Sequence, residues 1–261
     1  LIHLFDKNTF EHLASSTYQG QGPGEITIIG HVGIDETNRR FFVSDHGKLK
    51  IFAYDLDSVL TTPEYQPSVK IDMKKKLFPD DYLYLNDTLC IAKIIEPIGN
   101  NDYKPSVARW NMATGEINPM PYEYPDLKKV RFIYAASAEH QLYVQCYTQY
   151  DLMTICDFNG NLKCNIYGPK WVNEKTQTQH YSLGVEFCGD KILALYSGGD
   201  HRTDAYYPTK FLVFDLNGNY LKTLETGYMI TDFCYDKENN RLIINLNDEI
   251  QFAYLDLEGI I

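Results

Sequence analysis

Apolar, strand-like runs that end in tight polar turns recur along the whole chain. The segments with this pattern lie at residues 3–10, 51–58, 108–116, 154–162, 212–220 and 252–259. Their turns follow one another at intervals of roughly 40 to 60 residues, which is the period of a propeller blade built from four strands. The pattern therefore predicts a repeated β-sheet unit.

A second recurring segment precedes the turns. It consists of an apolar strand, a short polar turn and a strand rich in β-branched and aromatic residues, and it is found at residues 33–45, 84–94, 135–147, 186–197 and 234–246. Partial alternation of apolar and polar positions is typical of half-buried strands. Helical periodicity is absent over any window of useful length, and helix start and stop residues do not pair up. Each unit is therefore predicted to hold four strands, named A to D in chain order.

These repeats predict an all-β fold, a six-bladed β-propeller of four-stranded antiparallel blades that forms one domain over residues 1–261. The expected boundaries are a half blade at 1–19 and blades at 30–75, 81–122, 131–167, 181–225 and 229–261. The count of six blades requires that residues upstream of Leu1 complete the half blade.

The stretch GQGPGEI, residues 20–26, has the glycine content of a phosphate-binding loop. A dinucleotide site needs a glycine at the sixth position and a helix after it, but Glu25 stands there and a strand-like run follows. A Walker loop needs Gly-Lys-Ser/Thr, which is absent from the sequence. Glycine and proline together allow a sharp backbone turn. The stretch is therefore predicted to be a corner between two blades.

Two of the repeated turns contain an Asn-Gly pair, Asn159-Gly160 and Asn217-Gly218. Such pairs favour a two-residue hairpin turn, because both central positions of a type I′ turn need a positive φ. The surrounding Asp-x-Asn-Gly-Asn pattern also resembles the start of a calcium loop. An EF-hand loop ends in a glutamate, where the two copies have Gly168 and Thr226. Both segments are therefore predicted to be hairpin turns.

The GxGPGE motif followed by an apolar strand, with the D-x-x-N-x-R turn at 35–40 and the F-D-x-x-G-x turn at 214–219, resembles TolB-like six-bladed β-propellers and their NHL-repeat relatives. The resemblance covers nearly the whole chain. It implies an exported protein of Gram-negative anaerobes, often a lipoprotein. It carries no catalytic residue onto this sequence, because no active-site motif aligns. A periplasmic or cell-surface location is the resulting expectation, with a lipid anchor upstream of residue 1 left open.

Composition and charge exclude several classes of partner. The net charge of −11 provides no basic surplus to release counterions from nucleic acid or to bind an anionic membrane. No apolar run approaches the roughly 18 residues that span a bilayer, so no transmembrane segment is predicted. The six cysteines show no CxxC pair and no zinc-type spacing. Cys146 and Cys156 could face each other across a hairpin, so the disulfide state stays open.

The long connecting segments are predicted at 61–81, 96–106, 119–131, 168–182 and 197–209. Because strands alternate in direction, the D-to-A linkers and B-to-C loops share one face of a propeller, and all five segments are assigned to that face. Function in a rigid scaffold concentrates on the loops that it positions, so a ligand is expected there. The alternative is that these loops only cap the mouth of the central tunnel.

The candidate ligand-binding residues on this face combine aromatic rings with hydrogen-bonding groups. They are Tyr103, Arg109, Trp171, Tyr181, Arg202, Asp204 and Tyr206. Flat rings with neighbouring polar groups suit a protein or carbohydrate ligand, since they offer a large contact area with little entropy loss. Packing of the loops over the blade ends is the competing explanation.

No catalytic residue, cofactor or metal site is predicted. The chain has no GxSxG elbow. Asp200, His201 and Asp204 offer ligand types for a metal, but all three lie in one loop. The favoured hypothesis is a non-catalytic binding propeller of an exported bacterial protein, with a protein or glycan held on the long-loop face. The alternative is a propeller hydrolase or lyase with a metal in the central tunnel.

Overall fold

The computed structural model describes residues 1–74, 76–99, 102–125, 127–203 and 206–261. These residues form antiparallel β-sheets and one short helix, and they divide into two compact units, Leu1–Pro119 and Met120–Ile261. The predicted all-β architecture of four-stranded antiparallel sheets is confirmed. In each sheet the strands are hydrogen-bonded in chain order, so every sheet is a meander.

Unit 1, Leu1–Pro119, contains three sheets among its described residues. A two-stranded sheet is formed by β1 (Ile2–Phe5) and β2 (His12–Ser16). The first four-stranded sheet contains β3 (Ile29–Asp35), β4 (Arg40–Asp45), β5 (Lys50–Asp55) and β6 (Ser68–Asp72). The second contains β7 (Phe78–Asn86), β8 (Leu89–Gly99), β9 (Asp102–Asn111) and β10 (Glu116–Pro119).

Unit 2, Met120–Ile261, also contains three sheets among its described residues. One four-stranded sheet is formed by β11 (Phe132–Ser137), β12 (Leu142–Tyr147), β13 (Leu152–Asp157) and β14 (Leu162–Tyr167). The next is formed by β15 (Thr178–Cys188), β16 (Lys191–Asp200), β17 (Lys210–Asp215) and β18 (Tyr220–Glu225). A three-stranded sheet contains β19 (Ile230–Asp236), β20 (Arg241–Leu246) and β21 (Phe252–Asp256).

The first strands of successive four-stranded sheets lie side by side within each unit. Strand β3 contacts β7 in unit 1, and β15 contacts both β11 and β19 in unit 2. The apolar faces of neighbouring sheets pack on one another, as Phe42 does against Tyr84 in unit 1 and Phe211 against Phe233 in unit 2. Both units therefore bury their aromatic residues between sheets, as the tyrosine- and phenylalanine-rich strands require.

The hairpin turns are held by the carboxylates at their first positions. Oδ1 of Asp157 accepts hydrogen bonds from the N–H groups of Asn159 and Asn161, at 2.8 and 2.9 Å. Gly160 adopts a φ of +79°, which glycine tolerates better than other residues, but Asn159 is not among the residues with a positive φ, so the predicted two-residue type I′ turn is wrong. Asp215 repeats the same bonds in the next sheet. These carboxylates are engaged by their own turns, which explains the recurrence of the motif.

The glycine-rich stretch connects β2 to β3, and no helix follows it. The N–H of Gly22 donates to Oε2 of Glu25 at 2.6 Å, and Nζ of Lys48 donates to the carbonyl oxygens of Gly22 and Glu25 at 2.8 and 2.7 Å. A Cβ on Gly20 would lie 2.1 Å from the Glu25 carboxylate, so a side chain there would displace it. The segment is a compact turn closed by its own polar groups.

Two expectations about the connections were wrong, and the structure also answers the open question about the cysteines. Most residues of the segment 96–106 belong to the paired strands β8 and β9. The segment 61–81 contains β6 and the start of β7, and the connection from β5 to β6 is long because it includes helix α1 (Leu56–Thr61). This helix is shorter than two turns, so it leaves no periodicity in the sequence. Cys146 faces Met153 and Cys156 faces Tyr143 in the hairpin register, and all six cysteines are free.

Candidate functional site

The structure places two of the predicted site residues in unit 1. Tyr103 and Arg109 both lie on strand β9, opposite Pro97 and Ile91 of β8. Tyr103 is therefore a strand residue near the end of a long hairpin and does not belong to a free loop. Both residues take part in interactions within the chain.

The remaining described candidates lie in unit 2. Tyr181 is 1% exposed and belongs to the hydrophobic core, so it offers no surface to a ligand. Arg202 is exposed in the turn after β16, where its N–H donates to Oδ1 of Asp200 at 2.9 Å. Tyr206 packs on Tyr207 with ring centres 4.3 Å apart. Asp204 lies outside the described residues.

Trp171 is the centre of an aromatic group that we call the Trp171 cluster, formed by Tyr124, Tyr150, Tyr167 and Trp171. The ring centres of Tyr167, Tyr124 and Tyr150 lie 5.1, 5.8 and 6.3 Å from that of the indole. Tyr150 is buried below the others, Tyr124 and Trp171 are partly exposed, and Tyr167 is 50% exposed. The cluster thus has a buried base and an open aromatic surface.

The cluster joins two loops, residues 120–131 and 168–177. The hydroxyl of Tyr150 donates to the carbonyl oxygen of Lys128 at 2.8 Å, which fixes the first loop from below. The amide of Asn165 on β14 donates to the hydroxyl of Tyr122 at 2.8 Å. These bonds tie a chain segment without regular structure to the rigid sheet, so the rings keep a defined geometry.

A buried polar network supports the second loop. Asp151 and His180 are each 1% exposed, and the hydroxyl of Tyr196 donates to Oδ1 of Asp151 at 3.3 Å. The other carboxylate oxygen accepts the N–H of Lys170 at 2.9 Å. Nε2 of His180 lies 3.4 Å from Oγ1 of Thr176 in the same loop. The residues on both sides of Trp171 are therefore anchored to one buried carboxylate and one buried imidazole.

Burial sets the protonation of this network. It lowers the pKa of His180 from its ordinary value, because the charged imidazolium is poorly solvated there. The Asp151 carboxylate raises the pKa of His180, and the nearby Lys170 ammonium lowers it. Burial likewise raises the pKa of Tyr196. At neutral pH the network therefore holds a neutral histidine that hydrogen-bonds to Tyr196 at 3.2 Å.

A second group of polar side chains lies between the two four-stranded sheets of unit 1. Nδ1 of His31 is 3.0 Å from Oδ1 of Asp81, and the ring of His46 lies 5.7 Å from that of Phe78. Both Nε2 atoms are buried without a hydrogen-bond partner among the described residues. In the part of the chain that the structure describes, no three or more histidine, cysteine or acidic side chains approach closely enough to hold a metal ion.

Sequence reasoning named Trp171 but missed Tyr150 and Tyr167. Tyr150 stands in a short turn, and Tyr167 is the last residue of β14. Neither lies inside a long loop, so a search that favours residues in long loops does not select them. A search for aromatic residues at strand ends adjoining those loops would have found both.

Comparisons with known proteins identify the fold. Residues 5–88 match the model of the family DUF5128, described as a 6-bladed beta-propeller, over less than half of the chain. A member of the DUF4221 family from Bacteroides vulgatus is similar with 12% identity and a TM-score of 0.63, over 97% of this chain and 86% of that one. No curated protein matches the chain.

Two further similar structures are of one protein from B. thetaiotaomicron. One is described as the extracellular domain of a one component system, with 11% identity and a TM-score of 0.60 over 98% of this chain and 31% of that one. The other is described as the extracellular domain of a hybrid two component system, with 11% identity and a TM-score of 0.58 over 97% and 30%. This chain spans about a third of the length of either domain.

These likenesses show the fold, a β-propeller of four-stranded antiparallel blades. Among the described residues, no helix is long and apolar enough to cross a membrane. The narrower relationship to TolB-like and NHL-repeat propellers stays a prediction from the sequence motifs.

Proposed function

We propose that this protein is a non-catalytic binding propeller of an exported bacterial protein, which holds a protein or glycan ligand at the long-loop end of its blades. The observation that carries the proposal is the Trp171 cluster, in which exposed rings are supported by a buried polar network. Large rings on a rigid base give contact area with little loss of conformational entropy, which is typical of binding surfaces.

The similar structures support the location and the class of function. Two of them are of one protein and are described as the extracellular domain of a one component or hybrid two component system. A propeller outside the cytoplasm, in the periplasm or at the cell surface, has access to soluble ligands. The predicted residues Arg202, Asp204 and Tyr206 follow β16 and remain candidate contacts, as do Tyr103 and Arg109 in unit 1.

A count of six blades is part of the same proposal. It takes the two-stranded sheet and the three-stranded sheet as one blade each, beside the four-stranded sheets. The description of the matched family supports this count. The sequence boundaries at 1–19, 30–75, 81–122, 131–167, 181–225 and 229–261 are the corresponding proposed blades.

The test is a binding screen of the purified protein against arrays of oligosaccharides and of peptides. Any ligand found is then titrated with Trp171→Ala, Tyr167→Ala and the control Tyr220→Ala, which removes an exposed ring at the opposite end of the strands in unit 2. Truncation of a central aromatic contact costs about 2 kcal/mol or more, so Trp171→Ala should weaken binding roughly thirtyfold or more. Circular dichroism and thermal unfolding check that each variant is folded.

The proposal is wrong if no ligand of either class binds at millimolar concentration. It is also wrong if every ligand found binds Trp171→Ala as tightly as it binds the unaltered protein. Loss of binding in Tyr220→Ala equal to that in Trp171→Ala would equally count against this site.

A further inference from the structure

Two lysine side chains lie near Tyr196 and Gly198 at the loop end of strands β16 and β17 in unit 2. Nζ of Lys170 lies 3.8 Å from the position of a Cβ added to Gly198. Nζ of Lys210 lies 5.8 Å from the centre of the Tyr196 ring. Gly198 packs on the same ring, since its added Cβ would be 3.0 Å from Cε1 of Tyr196. One ammonium group therefore lies near Gly198 and the other near the Tyr196 ring that Gly198 packs on.

Among the described residues, neither ammonium group forms an ion pair with a carboxylate. The ion pairs among the described residues of unit 2 do not include Lys170 or Lys210. Asp151 accepts hydrogen bonds from Tyr196 and from a backbone N–H, and Asp200 accepts one from the N–H of Arg202. Glu225 lies opposite Lys210 in the strand pair but forms no ion pair with it. Two positive charges at one place favour an anion there.

The loops that build the Trp171 cluster are also basic by sequence. Residues 120–131 and 168–177 contain five cationic side chains and three acidic ones, Lys128, Lys129, Arg131, Lys170 and Lys175 against Glu123, Asp126 and Glu174. The net charge of the whole chain is −11, whereas these two loops have more cationic than acidic side chains. An acidic protein that is locally basic beside exposed rings is suited to a ligand with both flat and anionic parts.

We propose that unit 2 binds an anionic oligosaccharide, a sugar chain that carries uronate carboxylates. One sugar ring lies against the Trp171 cluster, and a carboxylate lies between Lys170 and Lys210. Lys170 and Trp171 are adjacent residues, with Cα atoms about 3.8 Å apart, so one short ligand can reach both. This inference rests on the proposed function, because it names the ligand class of the same site.

The chemistry of the cluster favours a sugar over a peptide. The hydroxyls of Tyr124 and Tyr167 lie 3.3 Å apart beside the indole, so hydrogen-bonding groups border an open ring surface. A sugar ring has an apolar C–H face and a rim of hydroxyls, which matches this arrangement. Peptides that bind by strand addition or as helices use an exposed sheet edge or an apolar groove, and the Trp171 cluster is neither.

The experiment uses an array of uronate oligosaccharides, with galacturonate, glucuronate, mannuronate and iduronate members, each beside its carboxyl-reduced counterpart. Bound members are titrated with the unaltered protein, Lys170→Ala, Lys210→Ala and Trp171→Ala. Lys163→Ala is the matched control, since Lys163 lies near the start of β14 at the opposite strand end. Each charge-assisted contact that is lost should weaken binding about tenfold.

The proposal is supported if a uronate oligosaccharide binds, loses about tenfold or more in affinity on carboxyl reduction, and loses as much in both lysine variants but not in Lys163→Ala. It is overturned if no uronate member binds, or if carboxyl reduction leaves the affinity unchanged. Binding of a neutral sugar, a sulfated sugar or a peptide that depends on Trp171 but on neither lysine also overturns it, while the proposed function then stands.

Discussion

Removal of the Asp151 carboxylate tests whether the buried network holds the loop that carries Trp171. In Asp151→Ala, the N–H of Lys170 and the hydroxyl of Tyr196 lose their shared acceptor. Tyr196 is 8% exposed, so water has little access to its hydroxyl. The pKa of His180 is also expected to fall further, because the carboxylate that opposes the effect of burial is gone.

The size of the effect follows from these contacts. A buried donor left without an acceptor costs about 1–3 kcal/mol, and the more accessible N–H of Lys170 costs less. The expected loss is therefore about 2–4 kcal/mol of unfolding free energy. This is a large part of the roughly 5–15 kcal/mol that stabilises a typical domain.

Urea unfolding followed by circular dichroism measures the loss, and hydrogen exchange locates it. Amides of residues 168–177 should lose protection in Asp151→Ala before those of the strands in unit 2 do. The matched control is Asp215→Ala, which removes a turn carboxylate that also accepts backbone N–H groups but is open to water. Water can accept those N–H groups in place of the carboxylate, so the unfolding free energy of the control should be much closer to that of the unaltered protein.

Two results would refute this reasoning. If Asp151→Ala and Asp215→Ala shift the urea midpoint equally, burial of the network does not add to its strength. If stability falls but exchange in 168–177 is unchanged, Asp151 supports the core and not the loop.

Three further predictions follow from single contacts. Stability should fall as the pH drops below about 6.5, because burial lowers the pKa of His180 in the folded protein and only the unfolded chain then takes up the proton. The urea midpoints at about pH 7.5 and about pH 5.5 should therefore differ less in His180→Asn than in the unaltered protein. Equal differences in the two proteins would contradict this prediction. Gly160→Ala should cost about 1–3 kcal/mol more than Gly189→Ala in thermal or urea unfolding. Both glycines have a positive φ, but only at Gly160 would the new Cβ meet an atom at 2.3 Å, so equal losses would disprove the steric argument. A thiol reagent should label the exposed Cys234 in the native protein. It should label Cys146 only after unfolding, because that thiol is 0% exposed and its pKa is raised. Labelling of both cysteines at the same rate would show that strand β12 opens in the native protein.

Much of the fold follows from local sequence. The turn from Asp157 to Asn161 could be predicted because its carboxylate, its amides and its glycine lie within five residues of one another. Alternation of apolar and polar positions identifies a strand in the same local way, since neighbouring side chains point to opposite faces of a sheet. Asp35 and Asp236 repeat a second local motif, in which an aspartate side chain accepts from the asparagine and arginine that follow it.

The lengths of the connections could be predicted less well. The B and C strands β8 and β9 continue through polar and proline residues that the sequence pattern marked as loop, so Tyr103 was placed on a loop and lies on a strand. Pairing with a neighbouring strand kept these residues extended. That cross-strand contribution is not visible in either segment alone.

Sequence by itself determined that the chain forms repeated antiparallel sheets with carboxylate-capped turns, because those features depend on residues a few positions apart. Only the tertiary structure decided that Tyr124, Tyr150 and Tyr167 meet around Trp171 and that Asp151 lies under the same loop as His180. These residues belong to different strands and loops, and irregular pairing in β15 between 179 and 185 sets the directions of its side chains. The candidate site is therefore a product of strand register and sheet packing, which join positions far apart in the chain.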